Sequence, residues 1–470
     1  MNAVELIDQQ ILAQPKRLAL WFPDHGSLSF EELDALAQRI AGQLLRKGCR
    51  RGDNILLGLE LAPHLYATIL AMARLGLTAL LVEPWMPLDR INTTIEATRP
   101  RAFLAGWKGR LWGLRARAIR QIPVWLLEKD LATGERHKGP AEVMDGPEPL
   151  IITFTSGTTG QPKGVVRSHA YLLEQCKGIH RAFDYHQEQG PDLCIFANLA
   201  LANLAAGRPS IIIPSRWSAE DLTTLNSLPR EMQPETMIVG PTFLERVLRS
   251  AQLAHLRSYF VGGAQTDCHL LEQAGARWPA ARGHLVYGST EVEPVAHTDA
   301  RESVRRSRDR GYFQALFLGP LDTQLQSQVK NQQFWITGPH VCGFYLANEK
   351  ANQEYKYQDE AGHIWHRMGD RIGESADGLW YQGRDQSPLD DFLLEQRLYL
   401  ALGHSRAMIE RDMDGAALIY CENARQNLAT IRTVVPDVKH IFQVKMRRDR
   451  RHRARIDRQA TKKGYPWRVG

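Results

Sequence analysis

Thr153-Phe154-Thr155-Ser156-Gly157-Thr158-Thr159-Gly160-Gln161-Pro162-Lys163-Gly164-Val165-Val166 is the stretch on which the reading of the fold turns. It leaves the apolar run Leu150-Ile151-Ile152. From Thr155 to Gly164 it then sets four hydroxyl residues, three glycines and one lysine in ten positions. Glycine frees backbone N–H groups to point inward, hydroxyls add donors, and a lysine adds positive charge, so the segment is suited to closing around a phosphate. It is not a Walker loop. That motif requires glycine before the lysine and Ser or Thr after it, whereas Pro162 and Gly164 flank Lys163. Clustered Gly, Ser, Thr and Pro also mark ordinary turns between strands. The apolar flanks Ile151-Ile152 and Val165-Val166 argue against a flexible linker.

Working outward, helical and strand-like periods alternate. Residues 29–47 read as an amphipathic helix, with Ser29 as N-cap, Glu31 and Glu32 in the first turn, and Leu33, Leu36, Ile40 and Leu44 on one face. Residues 54–59, 79–84 and 102–105 read as buried strands, separated by helices near 63–74 and 88–98. Beyond the loop, 192–196 and 210–214 read as strands around a helix of small residues from 198 to 206. Residues 237–248 form a strand-to-helix unit, and 257–264 and 284–288 repeat the pattern. Such alternation predicts an α/β fold built on parallel sheet. Residues 106–148, basic and bearing Trp107, Trp112 and Trp125, read as irregular.

Composition agrees with a globular chain: 470 residues, 43% hydrophobic and 24% charged. The six cysteines are scattered with no C-x-x-C spacing, which reads as reduced thiols. The N-terminus lacks a signal-peptide pattern and no apolar run is long enough to span a bilayer, so a cytoplasmic location with no membrane span is expected. The net charge of +7 is unevenly placed. Residues 445–458 carry eight Lys and Arg against Asp449 and Asp457.

The loop closely resembles the T-S-G-T-T-G-x-P-K-G signature of the adenylate-forming superfamily of acyl-CoA synthetases, peptide-synthetase adenylation domains and luciferases. Four more segments match it in order. Val261-Gly262-Gly263-Ala264-Gln265 resembles the turn laid against adenine. Tyr287-Gly288-Ser289-Thr290-Glu291 resembles the run in which an aromatic ring stacks on adenine, a threonine contacts the α-phosphate and a glutamate holds Mg²⁺. Such a hard oxygen ligand suits Mg²⁺. In Trp365-His366-Arg367-Met368-Gly369-Asp370 and the later Gly383-Arg384, the resemblance implies that Asp370 accepts from the ribose hydroxyls and Arg384 lies on the ribose–phosphate side. His366 and Arg367 read as surface residues of a β-turn. The fourth, Arg453-Ala454-Arg455-Ile456, puts Arg455 where the superfamily carries a catalytic lysine. This swap is not conservative, because a planar fork replaces a compact ammonium. The basic cluster around it reads equally as that catalytic segment or as a solvated face or electrostatic dock for an acidic partner or phosphate-rich ligand.

Within the superfamily, E-A-G-H-I-W-H-R-M-G-D (360–370), Glu291-Val292-Glu293-Pro294-Val295 and Arg451-His452-Arg453-Ala454-Arg455-Ile456 resemble the olefin β-lactone synthetase branch most. The resemblance implies a large α/β domain of parallel and mixed sheets with flanking helices, residues 1–383, and a small, reduced α+β C-terminal lid, 384–470. It implies ATP and Mg²⁺ as cofactors, with CoA or carrier-protein phosphopantetheine for a thioester-forming second step. Thr155, Ser156, Gly157, Thr158, Thr159, Gly160 and Lys163 would grip phosphate. Gly262, Gly263, Ala264, Tyr287, Gly288, Ser289, Thr290, Asp370 and Arg384 would bind the rest of the nucleotide. Lys163, Thr290, Glu291 and Arg455 would be catalytic. Phe196, Asn198, Ala202, Gly207, Pro241 and Phe243 would line an acyl pocket, where Asn198 and Asn203 are polar exceptions suited to reading a hydroxyl or amine. The expected activity is ATP-dependent activation of a small carboxylic acid as acyl-adenylate. Attack by an internal β-hydroxyl would then give a β-lactone; attack by a CoA or carrier-protein thiol would give a thioester, the carrier being an acidic protein. The altered lysine and shortened tail suit, as an alternative, a nucleotide-binding regulator without catalysis. Nucleic-acid binding is disfavoured, because Phe, Tyr and Trp are absent from 445–458.

Overall fold

The computed structural model describes residues 1–82, 86–131, 133–156, 162–183, 190–214, 216–310, 315–385, 389–403, 406–447, 456–464 and 466–469, with backbone alone at 155, 156 and 162. The chain forms two compact units. The first comprises residues 1–214, 290–293 and 336–367; the second comprises 215–289, 294–335 and 368–470.

The first unit is built on a seven-stranded mixed sheet in the order Val124–Leu127, Ala102–Ala105, Asn54–Gly58, Thr78–Leu81, Pro149–Ser156, Pro162–Ser168, Tyr345–Leu346. The first five strands run parallel, and the last two pair antiparallel. Parallel strands are buried on both faces, which is why these segments are near-continuous Val, Ile, Leu, Ala and Phe. Leu56, Leu80, Phe103, Ile152, Phe154 and Val166 share one core. The helix Phe30–Arg46 starts with a complete capping box: Glu32 N–H donates to Ser29 Oγ while the Glu32 carboxylate accepts from Ser29 N–H at 2.8 Å. The segment 106–148 is less irregular than its sequence reads. It contains the helix Trp107–Gly113 and the sheet's edge strand Val124–Leu127, with Trp125 set edge-on to Phe103 at 5.0 Å. A second sheet in this unit joins Gly26–Ser29, Leu18–Phe22, Ser210–Ile212 and Asp192–Cys194.

In the second unit, Thr236–Val239, Ser258–Val261 and Arg282–Ser289 pair parallel, with the helices Pro241–Ser250 and Cys268–Arg277 as connections. Asp370–Ser375, Gly378–Arg384 and Leu316–Gly319 form an antiparallel three-stranded sheet. The tail is α+β. Helix Leu389–Leu402 precedes a four-stranded sheet of Ala407–Arg411, Ala417–Cys421, His440–Gln443 and Trp467–Arg468. Leu398, Ala407, Ile409, Ile419, Ile431 and Ile441 give it a core of its own. Among the described residues, no helix is long and apolar enough to cross a membrane.

Candidate active site

The run 153–166 is a β-hairpin. Its strands extend further than the apolar residues suggest, pairing Thr153 with Val165, Thr155 with Lys163 and Ser156 with Pro162. Gly157, Thr158, Thr159 and Gly160 lie outside the described residues, as do the side chains of Thr155 and Ser156. Lys163 is buried. Its ammonium lies 3.4 Å from the ring centroid of Tyr355 and 5.2 Å from that of Tyr345. Burial lowers its pKa; the charges of Glu291 and Glu354 oppose that shift, and those of Lys356 and Arg367 reinforce it. Arg167 ties this hairpin to the chain entering Glu291: its guanidinium donates to Thr153 Oγ1 at 2.8 Å and to the Thr290 carbonyl at 2.9 Å.

Glu291 is the acidic centre of the first unit. Tyr345 Oη donates to its Oε1 at 2.7 Å, and its backbone carbonyl accepts from Cys342 N–H at 2.8 Å. Burial works against its charge, but His366 in its protonated form, the Tyr345 hydroxyl and Lys356 hold the carboxyl below its usual range, at about 2. It is therefore ionised at neutral pH. Lys356 is cross-strand partner to His366, donates to the Cys342 carbonyl and lies 5.1 Å from the Tyr345 ring centroid. His366 is buried, contrary to the expectation of a surface turn. It sits in the strand Ile364–Arg367, which pairs with Lys356–Gln358, and its Nδ1 lies 3.2 Å from the Tyr355 carbonyl. Burial, helped by Lys356, drives its pKa down to about 3, so the imidazole is neutral at pH 7.

In the second unit, several of the residues expected to bind nucleotide line a cavity of about 500 Å³. Gly263, Ala264, Tyr287, Gly288, Asp370 and Arg384 all line it. Each carboxylate oxygen of Asp370 has a partner: Tyr287 Oη donates to Oδ2 at 2.8 Å and Arg384 Nη1 to Oδ1 at 2.7 Å. Burial and the Asp370 charge push the Tyr287 phenol up, so it stays a donor. The Gly262-Gly263 turn follows the strand Ser258–Val261 and needs both glycines. Gly263 has φ +78°, and a Cβ on Gly262 would lie 2.7 Å from the Val286 carbonyl oxygen. Ser289 Oγ lies 4.0 Å from Met368 Sδ. From the tail, Glu395, Ile456 and Arg458 also line the cavity, and Arg458 donates to Glu395 at 2.5 Å. Arg455 lies outside the described residues.

Of the residues expected to line an acyl pocket, Phe196, Asn198, Ala202 and Gly207 belong to the first unit, and Pro241 and Phe243 to the second. Asn198 Nδ2 donates to Glu293 Oε2 at 3.1 Å; Phe196 precedes the helix Ala197–Ala205 as its N-cap. Ala202 is buried, and its carbonyl lies 3.0 Å from His180 Nε2. Phe243 is buried under the Arg246 guanidinium, 4.8 Å from its ring centroid. Asn203 has its amide nitrogen engaged within the fold. It is fully buried and donates to Asp192 Oδ2 at 2.7 Å and Ser210 Oγ at 2.9 Å, joining its helix to the two strands that flank it. Sequence reasoning missed Tyr345, Tyr355 and Lys356, whose letters follow no ligand spacing.

Among the described residues no three His, Cys, Asp or Glu cluster as a metal cage. Mg²⁺ does not need one. It commonly uses one or two carboxylates together with substrate phosphates, and an ionised Glu291 in the same unit as Lys163 fits that pattern.

An α/β chain with this hairpin, this acidic centre and this cavity belongs to the AMP-binding enzymes, whose family model matches residues 7–313. It is an AMP-forming ligase. Among its relatives is the olefin beta-lactone synthetase of Xanthomonas campestris pv. campestris, 26% identical over 404 residues, or 76% of this chain and 72% of the relative. Among solved structures, a benzoate CoA ligase from Burkholderia xenovorans LB400 superposes with TM-score 0.81 at 16% identity, covering 98% of this chain and 99% of that one. The O-succinylbenzoate coenzyme A synthetase of Bacillus subtilis in complex with AMP superposes with TM-score 0.77 at 18% identity, covering 97% of each.

Proposed function

We propose that this enzyme activates a β-hydroxy carboxylic acid with MgATP and closes it to a β-lactone. In the first step the substrate carboxylate oxygen attacks the α-phosphorus, the bond to the β-phosphate oxygen breaks, and pyrophosphate leaves an acyl-adenylate. In the second, the β-hydroxyl oxygen attacks the acyl carbon, its proton passes to solvent, and AMP departs with the electrons of the acyl–oxygen bond. The product is the acid less one water. The observation that carries the adenylation step is the convergence of Gly263, Ala264, Tyr287, Asp370 and Arg384 on one cavity. The likeness at 360–370 and 291–295 to olefin β-lactone synthetases favours the second.

In this reading Thr155, Ser156, Gly157, Thr158, Thr159, Gly160 and Lys163 hold the β- and γ-phosphates. Thr290 contacts the α-phosphate, and Glu291 holds Mg²⁺, which supplies positive charge to offset the leaving pyrophosphate. Asp370 accepts from the ribose hydroxyls, Arg384 stands beside it, and Gly262, Gly263, Ala264, Tyr287, Gly288 and Ser289 surround the base. Arg455 replaces the superfamily's lysine at the reacting carboxylate. Catalysis is then mainly positioning and charge stabilisation. Residues 384–470, with their own apolar core, act as a lid domain, and dependence on ATP suits a cytoplasmic setting.

ATP–pyrophosphate exchange across a panel of acids, with mass spectrometry of products with and without CoA, tests each step. Exchange plus a dehydrated product formed without CoA is the expected result. A CoA-dependent thioester would replace the lactone step with ligation to a thiol. ATP binding with no exchange for any acid would instead favour a nucleotide-binding regulator, the reading that the arginine at 455 motivates.

A further inference from the structure

We infer that Tyr355 is a positioning residue for Lys163, its ring face serving as the seat that aims the ammonium at nucleotide phosphate. The inference rests on the adenylation reading given above. Lys163 is 6% exposed, so its ammonium has lost most of its water. A buried charge needs compensation; besides the charges of Glu291 and Glu354, the Tyr355 ring supplies it in direct contact, 3.4 Å from the nitrogen to the centroid. The Tyr345 ring stands further off at 5.2 Å. A ring at that distance lies well within the range in which its negative face attracts a cation.

The platform is itself fixed. Tyr355 closes the helix Glu349–Tyr355, its carbonyl lies 3.2 Å from His366 Nδ1, and its ring meets Tyr345 edge-on at 6.5 Å and 89°. Tyr345 in turn is hydrogen-bonded to Glu291. The two rings therefore link the lysine to the acidic centre through rigid contacts. The choice of an aromatic partner has a chemical reason. A carboxylate directly on Lys163 would neutralise it and compete with phosphate at full charge. A ring quadrupole restrains the flexible four-carbon stem and leaves the positive charge available. Arg367, with its guanidinium 5.5 Å from the same centroid, is gathered by the same ring.

The test compares Tyr355→Phe, Tyr355→Leu and a series of progressively fluorinated phenylalanines at 355 in the full chain. Two quantities are read: equilibrium ATP binding, and the KM for ATP against kcat in pyrophosphate exchange. Tyr355→Phe keeps the ring face and should stay within about twofold of the natural protein. Tyr355→Leu should weaken ATP binding by about 2- to 30-fold, the range open to a cation–π contact, and raise KM more than it lowers kcat. Affinity should fall stepwise with fluorination while the melting temperature holds, which a packing role would not produce. Unchanged or tighter ATP binding in Tyr355→Leu, equal losses in Leu and Phe, or no trend with fluorine overturns the seat. Failure of the adenylation reading looks different: ATP binds with the same graded series, yet no acid supports exchange. A natural protein that binds no ATP overturns both.

Discussion

Replacing Asp370 with asparagine removes one charge from a carboxylate whose two oxygens are both engaged. Tyr287 Oη at 2.8 Å can turn from donor to acceptor and keep a bond to the new amide, so that contact is largely preserved. The Arg384 contact at 2.7 Å loses its opposite charge. The Arg384 side chain is 42% exposed and Asp370 11%, so solvent screens much of that pair. The folding cost is then about 1 kcal/mol, near the upper end for an exposed ion pair. The nucleotide loses more. If both ribose hydroxyls donate to this carboxylate, each charge-assisted bond contributes about 1.5–3 kcal/mol, and weakening them costs about 2–4 kcal/mol of ATP affinity. That corresponds to a rise of about 30- to 1000-fold in the KM for ATP. Pyrophosphate exchange at varied ATP, with thermal melts of both proteins, separates the two effects. A Asp370→Asn variant with a lowered melting temperature but an ordinary KM for ATP would refute the ribose assignment and leave Asp370 as a brace for Tyr287 and Arg384.

Three further outcomes follow from described contacts. His169 is fully buried, accepts from Ala3 N–H at 3.1 Å, and is held at about 4 chiefly by burial. Its folded pKa lies below the unfolded value, so the unfolded chain binds the proton first and stability falls as pH drops below about 6.5. The loss is about 2 kcal/mol by pH 5; denaturant melts at pH 7 and 5 should show a smaller difference for His169→Gln. Asn203→Ala should destabilise by about 2–3 kcal/mol, because Asp192 and Ser210 lose a shared buried donor; equilibrium unfolding measures it. Gly262→Ala drives a methyl against the Val286 carbonyl oxygen. It should cost about 1–3 kcal/mol of stability and weaken ATP binding by calorimetry, whereas Gly275→Ala, whose Cβ would meet only the Tyr259 hydroxyl at 4.0 Å, should leave ATP binding unchanged.

What was legible from letters was what is local. Ser29 and Glu32 announce their helix because a capping box lies within four residues. The parallel strands announce themselves because burial on both faces demands unbroken apolar runs. The family was legible because the glycine turns and the 287–291 run carry its motifs in order. The missed residues are those assembled by pairing across the chain. Lys356 and His366 become neighbours only through the register of Lys356–Gln358 with Ile364–Arg367, and Tyr345 reaches Glu291 across 54 positions. Asn203 reads as a polar exception in an apolar helix, and only the fold brings Asp192 and Ser210 to its amide nitrogen. Val124–Leu127 hides because an edge strand of four residues amid basic and aromatic neighbours has too little apolar alternation to declare itself.

The ladder pairing of Thr155 with Lys163 and Phe154 with Gly164 makes the signature a ruler as well as a chemical motif. Side chains alternate faces along a strand, so adding or deleting a single residue between Pro162 and Val166 would turn Lys163 to the opposite face of the sheet. Phe154 would then face a residue other than glycine, although a Cβ at Gly164 would already stand 2.7 Å from its ring. Gaps between this chain and its relatives should therefore spare both strands, a constraint set by pleat geometry before any phosphate is bound.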